Sequence, residues 1–371
     1  MEAEDSAILR YAVKKLNDEI RKGAVNSQDA EEVDRTLFAA LDEAVDISDE
    51  LAPDDHEWFR QEVEKRRRVR RKMMVKIRRT HLRRWGRGFQ LLDELLTHSE
   101  VLHAATEDCI GAWMLEDKSR YEDLLGIQGT LGGRALKCLL LLSLHSRACS
   151  ISSEIRLLAE HGFPEAVKAR TRSLHEIAVI ALALSALGRV DTTVSDRYGA
   201  WAVAEARKES RAVVEQGGEP EPLTGDDAEL ERRAEAAWGS DFFRQNAWAS
   251  PLFPGRRPPI PFSDIEKLVG MTHMRGYYMA GNDAIHAGPK ALTNRVRFRN
   301  KSIFPTVSEV QHETVRHFLA VTAITLSDVC VTVCDVVASI THDYDLLAGV
   351  KIIRDVTGRV VDEFKRDGMR A

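Results

Sequence analysis

The stretch RALKCLLLLSLHSRACSISSEIRLLAEHG (residues 134–162), followed by FPEAVKARTRSLHEIAVIALALSALG (residues 163–188), decides the fold class. The first segment is the most densely apolar part of the chain, and the second is almost wholly apolar from Ile177 onward. Gly162 ends the first segment and Pro164 stands just inside the second, which is the expected punctuation of consecutive helices. The two segments therefore predict a pair of buried helices.

The composition of the whole chain favours the same fold class. Of its 371 residues, 44% are hydrophobic and 30% are charged, and the net charge is -5. This is typical of a globular protein and excludes a disordered or collagen-like chain. Five of the 11 prolines lie within residues 251–261, whereas residues 54–163 contain none, so long uninterrupted helices are expected. The sequence predicts an all-α, multi-helix bundle with an N-terminal charged helical extension.

Charge is distributed very unevenly along the N-terminal part. Residues 1–57 carry 17 acidic and 6 basic side chains, whereas residues 60–87 carry 14 basic and 2 acidic ones. The basic run is expected to form one helix. It either binds RNA or another polyanion, with Arg66, Arg70 and Arg78 as contacts, or pairs with the acidic helix upstream, within or between subunits.

The expected division into domains follows this uneven distribution of charge. Residues 1–117 are expected to form the charged helical extension, and residues 118–371 the helical bundle.

The five cysteines form no C-x-x-C pair and the chain opens MEAEDSAILRYAVKK, which predicts a reduced, cytoplasmic protein. Residues 318–340 are strongly apolar, but Asp328 and Asp335 lie within them. A core helix is therefore expected there, and no membrane contact.

The sequence lacks the motifs that hold common cofactors. It contains no P-loop, no G-x-G-x-x-G after a strand, no H-E-x-x-H and no G-x-S-x-G. His145 and Cys149 are spaced to share a helix face, but no second Cys/His pair of recognisable spacing accompanies them, which favours a packed core. We therefore expect neither a cofactor nor a metal ion.

One set of candidate site residues lies in the segment MTHMRGYYMAGNDAIHAG (residues 271–288). If this segment is one helix, its spacing places Arg275, Tyr278, Asn282 and His286 on one face. Glycines interrupt the segment, which indicates close backbone packing or a ligand near the helix. A face of this mixed character suits an anion or a sugar phosphate, and it equally suits a hydrogen-bonded core patch.

A second set lies in ARTRSLHEIAV (residues 169–179). Arg172 and Glu176 are four residues apart and enter a largely apolar helix, with His175 beside them. Because an unpaired charge would be costly there, the spacing predicts a structural ion pair. The alternative is a site in which Arg172 binds an anion and Glu176 orients it.

Two further segments are expected to lack helix. Residues 249–263, ASPLFPGRRPPIPFS, are too rich in proline for a helix and predict an ordered loop or a lid. Residues 290–304, KALTNRVRFRNKSIF, carry five basic and no acidic residues. Arg295, Arg297 and Arg299 alternate there with apolar residues, which predicts a hairpin strand or an extended basic loop and adds three candidate nucleic-acid contacts.

Three parts of the chain share a pattern with known bacterial sequences. They are a helix containing R-S-L-x-E, a polar helix that begins near an aromatic residue, and a late element with Tyr and His. The matching residues are Ala169, Arg172, Ser173, Leu174, Glu176, Tyr198, Tyr278 and His286. Over roughly residues 130–300 the chain resembles the bacterial domain of unknown function family 5677. The resemblance implies an all-helical bundle and brings no assigned reaction.

A weaker resemblance rests on Gly281, Asn282 and His286. The higher eukaryotes and prokaryotes nucleotide-binding (HEPN-like) bundles, many of them metal-independent ribonucleases of toxin and phage-defence systems, carry an Arg, a polar residue, three further residues and a His. Asn282 and His286 match this signature, whereas Gly281 stands in place of the Arg. The resemblance implies that His286 is the general base and that Arg275, Arg172 or another subunit supplies the cation.

Two functions from different classes follow. The first is an RNA- or nucleotide-directed module, of which a metal-independent ribonuclease-like effector is one form. Its catalytic residues would be His286 and Arg275, and its ligand-binding residues would be Asn282, Tyr278, Arg172 and Glu176. The second is a non-catalytic oligomerisation or scaffold protein. A homo-oligomer is expected in either case, and the residues leave open whether the protein is an enzyme.

Overall fold

The computed structural model describes residues 7–26, 28–47, 50, 53–117, 119–120, 133–218, 225–286, 296–299, 302–305 and 312–366. The chain forms two compact units, Met1–Lys76 and Ile77–Ala371. Apart from one short hairpin, the regular structure within the described residues is helical. The predicted all-α, multi-helix fold is confirmed.

In the part of the first unit that the structure describes, two short helices precede the beginning of a long one. Its helices are α1 (Ala7–Arg21), α2 (Ala30–Asp46) and the first part of α3 (Pro53–Leu115). α1 packs against α2. Glu43 of α2 receives a 2.7 Å hydrogen bond from the Tyr11 hydroxyl and an ion pair from Lys15. The acidic helix therefore takes a basic partner from α1.

Helix α3 contains the predicted basic helix. Its backbone is helical from Pro53 as far as Trp85, whose φ of -125° and ψ of 16° interrupt it. Residues 60–79 are almost all exposed, whereas Trp85 and Phe89 are buried. The interruption therefore lies where the apolar face of α3 begins to be covered.

The second unit is a bundle around three long helices, α4 (Arg134–Glu160), α5 (Pro164–Ser185) and α10 (His312–Thr341). Among the described residues, this unit also contains the later part of α3 and the helices α6 (Thr193–Glu215), α7 (Gly225–Trp238), α8 (Phe262–Leu268), α9 (Arg275–Ile285) and α11 (Leu346–Arg366), with short 3₁₀ helices at Ser240–Phe243, Ala247–Leu252 and Met271–Met274. α4, α5 and α10 pack against one another, while α9 packs on α5 and α11 on α10. Gly162 has a φ of 78° and Pro164 begins α5, so the predicted boundary between the two decisive helices is confirmed.

Helix α10 has the length and composition of a membrane span over Val315–Thr341, and most of its apolar window is buried inside the protein. Its Asp335 forms an ion pair with Arg189, which follows α5. Packing against α4 and α5 accounts for its hydropathy. The burial of α10 agrees with the core helix expected from the sequence.

The proline-rich segment is an ordered loop between a 3₁₀ helix, Ala247–Leu252, and the start of α8 at Phe262, so the expectation that residues 249–263 lack helix is wrong at both ends. The loop is tied to the bundle. Asn246 donates from its amide to the Ile260 carbonyl at 2.8 Å, and the Ile260 amide donates to the Gln245 carbonyl at 3.0 Å. Ile260 is fully buried. Of the two alternatives for residues 249–263, these contacts favour the ordered loop, because a lid would have to break them.

The basic segment after α9 contains a hairpin. Strand β1 (Val296–Arg299) pairs antiparallel with β2 (Ser302–Pro305), with Arg297 opposite Phe304. Of the two predicted alternatives, the hairpin is found. Arg297 and Arg299 lie in β1, and Arg295 lies outside the described residues.

The division between the two compact units, at Lys76 and Ile77, does not coincide with the domain boundary expected between residues 117 and 118, which stays a prediction. The second unit begins at Ile77, within α3, and the later part of that helix supplies Trp85, Phe89 and Leu92 to the core. Because α3 continues through the division, no loop marks it in the sequence.

Candidate functional site

The crossing of α5 and α9 brings the two sets of candidate residues together. A Cβ atom at Gly281 would lie 2.6 Å from the Cβ of Arg172 and 2.9 Å from the carbonyl oxygen of Lys168. Only glycine allows the helices to approach so closely. The close packing that the glycines predicted is therefore present at Gly281, whereas a Cβ atom at Gly276 would meet no atom of the described residues within 4 Å.

Arg172, Glu176 and Tyr278 form a three-way contact at this crossing. Arg172 Nη2 lies 3.0 Å from Glu176 Oε1 and 3.4 Å from the Tyr278 hydroxyl, which donates to Glu176 Oε1 at 3.2 Å. The guanidinium carbon lies 5.1 Å from the centre of the tyrosine ring. Burial raises the pKa of Tyr278. The predicted Arg172–Glu176 ion pair is confirmed, and the tyrosine is its third member.

A second layer of charged groups lies beneath this contact. Glu266 of α8 is fully buried and accepts from His175 Nε2 at 2.9 Å, while its other oxygen pairs with Arg275. Burial lowers the pKa of His175, which favours the neutral ring. Arg275 therefore balances the charge of a buried carboxylate.

Aromatic rings join the two layers. The ring of Tyr278 lies 5.5 Å from the ring of His175 and stacks at 5.6 Å on Phe262, the first residue of α8. The network thus connects α5, α8 and α9. Sequence reasoning missed Glu266, because a single acidic residue in a short helix after the proline-rich loop gives no periodic signal.

The two remaining residues of the predicted face lie near the end of α9. The helix ends at Ile285, and His286 follows it with a ψ of 141°, so His286 does not continue the helical face. The prediction of one continuous face is wrong at this residue. His286 is exposed. Asn282 is half-buried, and its Oδ1 has no hydrogen-bond partner among the described residues.

The comparison with known families concerns this part of the chain. Residues 139–303 match the model of a family of unknown function, DUF5677. The match covers somewhat less than half of the chain, contains the whole network around Arg172 and Glu266, and confirms the resemblance to this family. No curated protein and no solved structure matches the chain.

Three of the candidate nucleic-acid contacts, Arg66, Arg70 and Arg78, lie outside this network and precede the DUF5677 match. Arg66 is exposed and pairs with Glu62 of the same helix at 2.7 Å. Arg70 is exposed. Arg78 pairs with Glu160, the last residue of α4. The basic run therefore takes partners from its own helix and from the bundle, and the acidic α2 takes a partner from α1.

His145 belongs to a polar cluster inside the core. Its Nε2 lies 3.1 Å from Cys330 Sγ, which lies 3.5 Å from the Ser99 hydroxyl. Burial, together with the nearby His103, lowers the pKa of His145 to about 4. Within the described residues, no group of three or more His, Cys, Asp or Glu side chains is placed to hold a metal ion.

Proposed function

We propose that this protein is an RNA-directed binding module that holds the phosphate backbone on the exposed part of α3. The observation that carries the proposal is the exposure of its basic side chains. Lys65, Arg66, Arg67 and Arg68 have side-chain exposures of 63–80%. Their partners Glu62 and Glu64 lie one turn away on the same helix. Exposed pairs of this kind are weak, so a polyanion can replace them.

The concentration of charge matters more here than the charge of the whole chain. The whole protein has a net charge of -5, but residues 60–87 contain 14 basic side chains. Phosphate contacts release counterions and depend on the local density of Lys and Arg, so an acidic protein can bind RNA through one basic segment.

The test is the salt dependence of RNA binding. We expect Arg66→Gln with Arg70→Gln to weaken binding and to reduce the slope of log affinity against log salt by about one to two, because two phosphate contacts are lost. The control neutralises Arg232 and Arg359, two exposed arginines that pair with glutamates elsewhere. An unchanged slope in the α3 variant, or an equal change in the control, would contradict the proposal.

A ribonuclease-like, HEPN-like form of this function assigns catalytic roles near α9. The exposed His286 would be the general base, and Arg172 or Arg275 would supply the cation. Both arginines pair with a carboxylate, Arg172 with Glu176 and Arg275 with the buried Glu266. In this form, His286→Ala abolishes RNA cleavage and leaves the melting temperature nearly unchanged. A destabilised variant with intact specific activity would rule out the role.

A scaffold function is the second candidate, and one observation favours it. Phe38 and Val45 of α2 are 65% and 58% exposed and lie seven residues apart, so they share one face. Such a face suits pairing with a second copy. We expect Phe38→Gln to shift an oligomer toward the monomer in light scattering, while Val101→Gln, an exposed change on α3, does not. A wild-type protein that is monomeric at every concentration contradicts this candidate.

A further inference from the structure

Two aromatic side chains near the start of the basic helix α3 are exposed to solvent. Trp58 and Phe59, in the second turn of α3, are each 62% exposed. Large rings are usually covered, so two neighbouring exposed rings indicate a surface that meets a partner. The acidic residue beside them, Glu57, lies 3.9 Å from Arg60 and is balanced by it.

The helix aligns one of these rings with the candidate phosphate contacts. Arg66 and Arg70 follow Phe59 by seven and eleven residues, and α3 has no interruption before Trp85. Both intervals are within about 20° of whole helical turns, so the three residues form one row about 16 Å long. Val63 and Met73 flank this row and are also exposed. The ring therefore lies at one end of a row of cations.

We infer that Trp58 and Phe59 stack on unpaired bases, so that the protein recognises single-stranded RNA. This rests on the proposed RNA-directed function and narrows its substrate class. Bases of a duplex are already stacked inside it, whereas those of a single strand offer free faces to aromatic side chains. The arginines of the row suit a polyanion better than the apolar surface of another protein. Cations combined with exposed aromatic rings are the usual design of sequence-tolerant single-strand binding, and here Phe59 lies in the row while Trp58 lies beside it.

The experiment uses the full chain and three labelled probes with equal numbers of phosphates. They are an oligouridylate, the same backbone without bases, and an RNA duplex. We expect the oligouridylate to bind at least about fivefold more tightly than the other two, because each stacked base contributes to affinity. Trp58→Leu with Phe59→Leu should abolish this preference without changing the salt dependence, since leucine preserves the apolar character and removes the ring.

The matched control is Val63→Ala, which alters an exposed apolar residue without a ring on the same helix and should keep the preference. The inference is overturned if the wild type binds all three probes equally. If Arg66→Gln with Arg70→Gln still weakens the binding of each probe, the proposed RNA-directed function is retained. Absence of binding to every probe overturns both. A leucine variant that keeps the preference but loses self-association assigns the rings to a protein partner and also overturns the inference.

Discussion

At the scale of single residues, the contact among Arg172, Glu176 and Tyr278 carries the strongest energetic expectation. The side chains of Arg172 and Glu176 are 23% and 35% exposed, so water screens their attraction less than on an open surface. Tyr278 adds a hydrogen bond to the carboxylate and a ring beside the guanidinium. Removing one partner leaves the other two with incomplete contacts.

We therefore expect Arg172→Met and Glu176→Gln each to lower the free energy of unfolding by about 1 kcal/mol, and the double variant to cost less than the sum by at least about 0.5 kcal/mol. Urea unfolding of the four proteins measures this coupling. The exposed pair of Arg232 and Glu229 is the control and should show a coupling near zero. Additive losses at Arg172 and Glu176 would show that the pair contributes nothing specific.

His145 gives a pH dependence at the same scale. Its pKa is lowered from 6.5 to about 4 in the folded protein, so the unfolded chain takes up a proton first as the pH falls. Stability from this group is complete above about pH 6.5 and decreases toward pH 4, by up to about 3 kcal/mol. Urea unfolding at several pH values should show a weaker decrease for His145→Gln than for the wild type.

The control for this prediction is His342→Asn. His342 is exposed and has a φ of 61°, a backbone conformation that asparagine also adopts. It should keep the pH dependence of the wild type. Parallel curves for His145→Gln and the wild type would mean that other groups cause the acid destabilisation.

At the scale of helices, the approach of α9 to α5 depends on one missing side chain. Gly281→Ala forces a Cβ atom against the backbone and Cβ of α5, and we expect it to lower the free energy of unfolding by roughly 1–3 kcal/mol. Gly276→Ala in the same helix meets open space and should be neutral or stabilising by up to about 1 kcal/mol. Thermal melts of both variants test this difference, and similar melting temperatures would refute it.

The helices also show what the sequence could and could not predict. α4 and α5 follow from local signals, because apolar density, Gly162 and Pro164 all act within a few residues of the positions they determine. The pairing of Glu266 with His175 joins residues 91 positions apart and depends on tertiary packing. The sequence of neither helix contains a signal that predicts it. The expected face extends to His286, one residue beyond the end of α9, because helix ends depend on weak capping contacts.

At the scale of the molecule, the basic run lies across the division between two units. The main core, which extends from Trp85 to Phe364, lies entirely after Ile77. The exposed basic side chains from Lys65 to Lys72 lie before it. Stability of the bundle and affinity for RNA should therefore reside in different parts of the chain.

A chain of residues 77–371 separates these two properties. We expect it to unfold cooperatively, with a melting temperature within a few degrees of the full chain, because the main core is retained. Its RNA affinity should fall strongly, since Arg66, Arg70 and the aromatic pair before them are absent. Circular dichroism melts and the same labelled RNA probes measure both. A folded fragment that keeps full RNA affinity would move the binding surface to the bundle, where Arg172 would be the first residue to test.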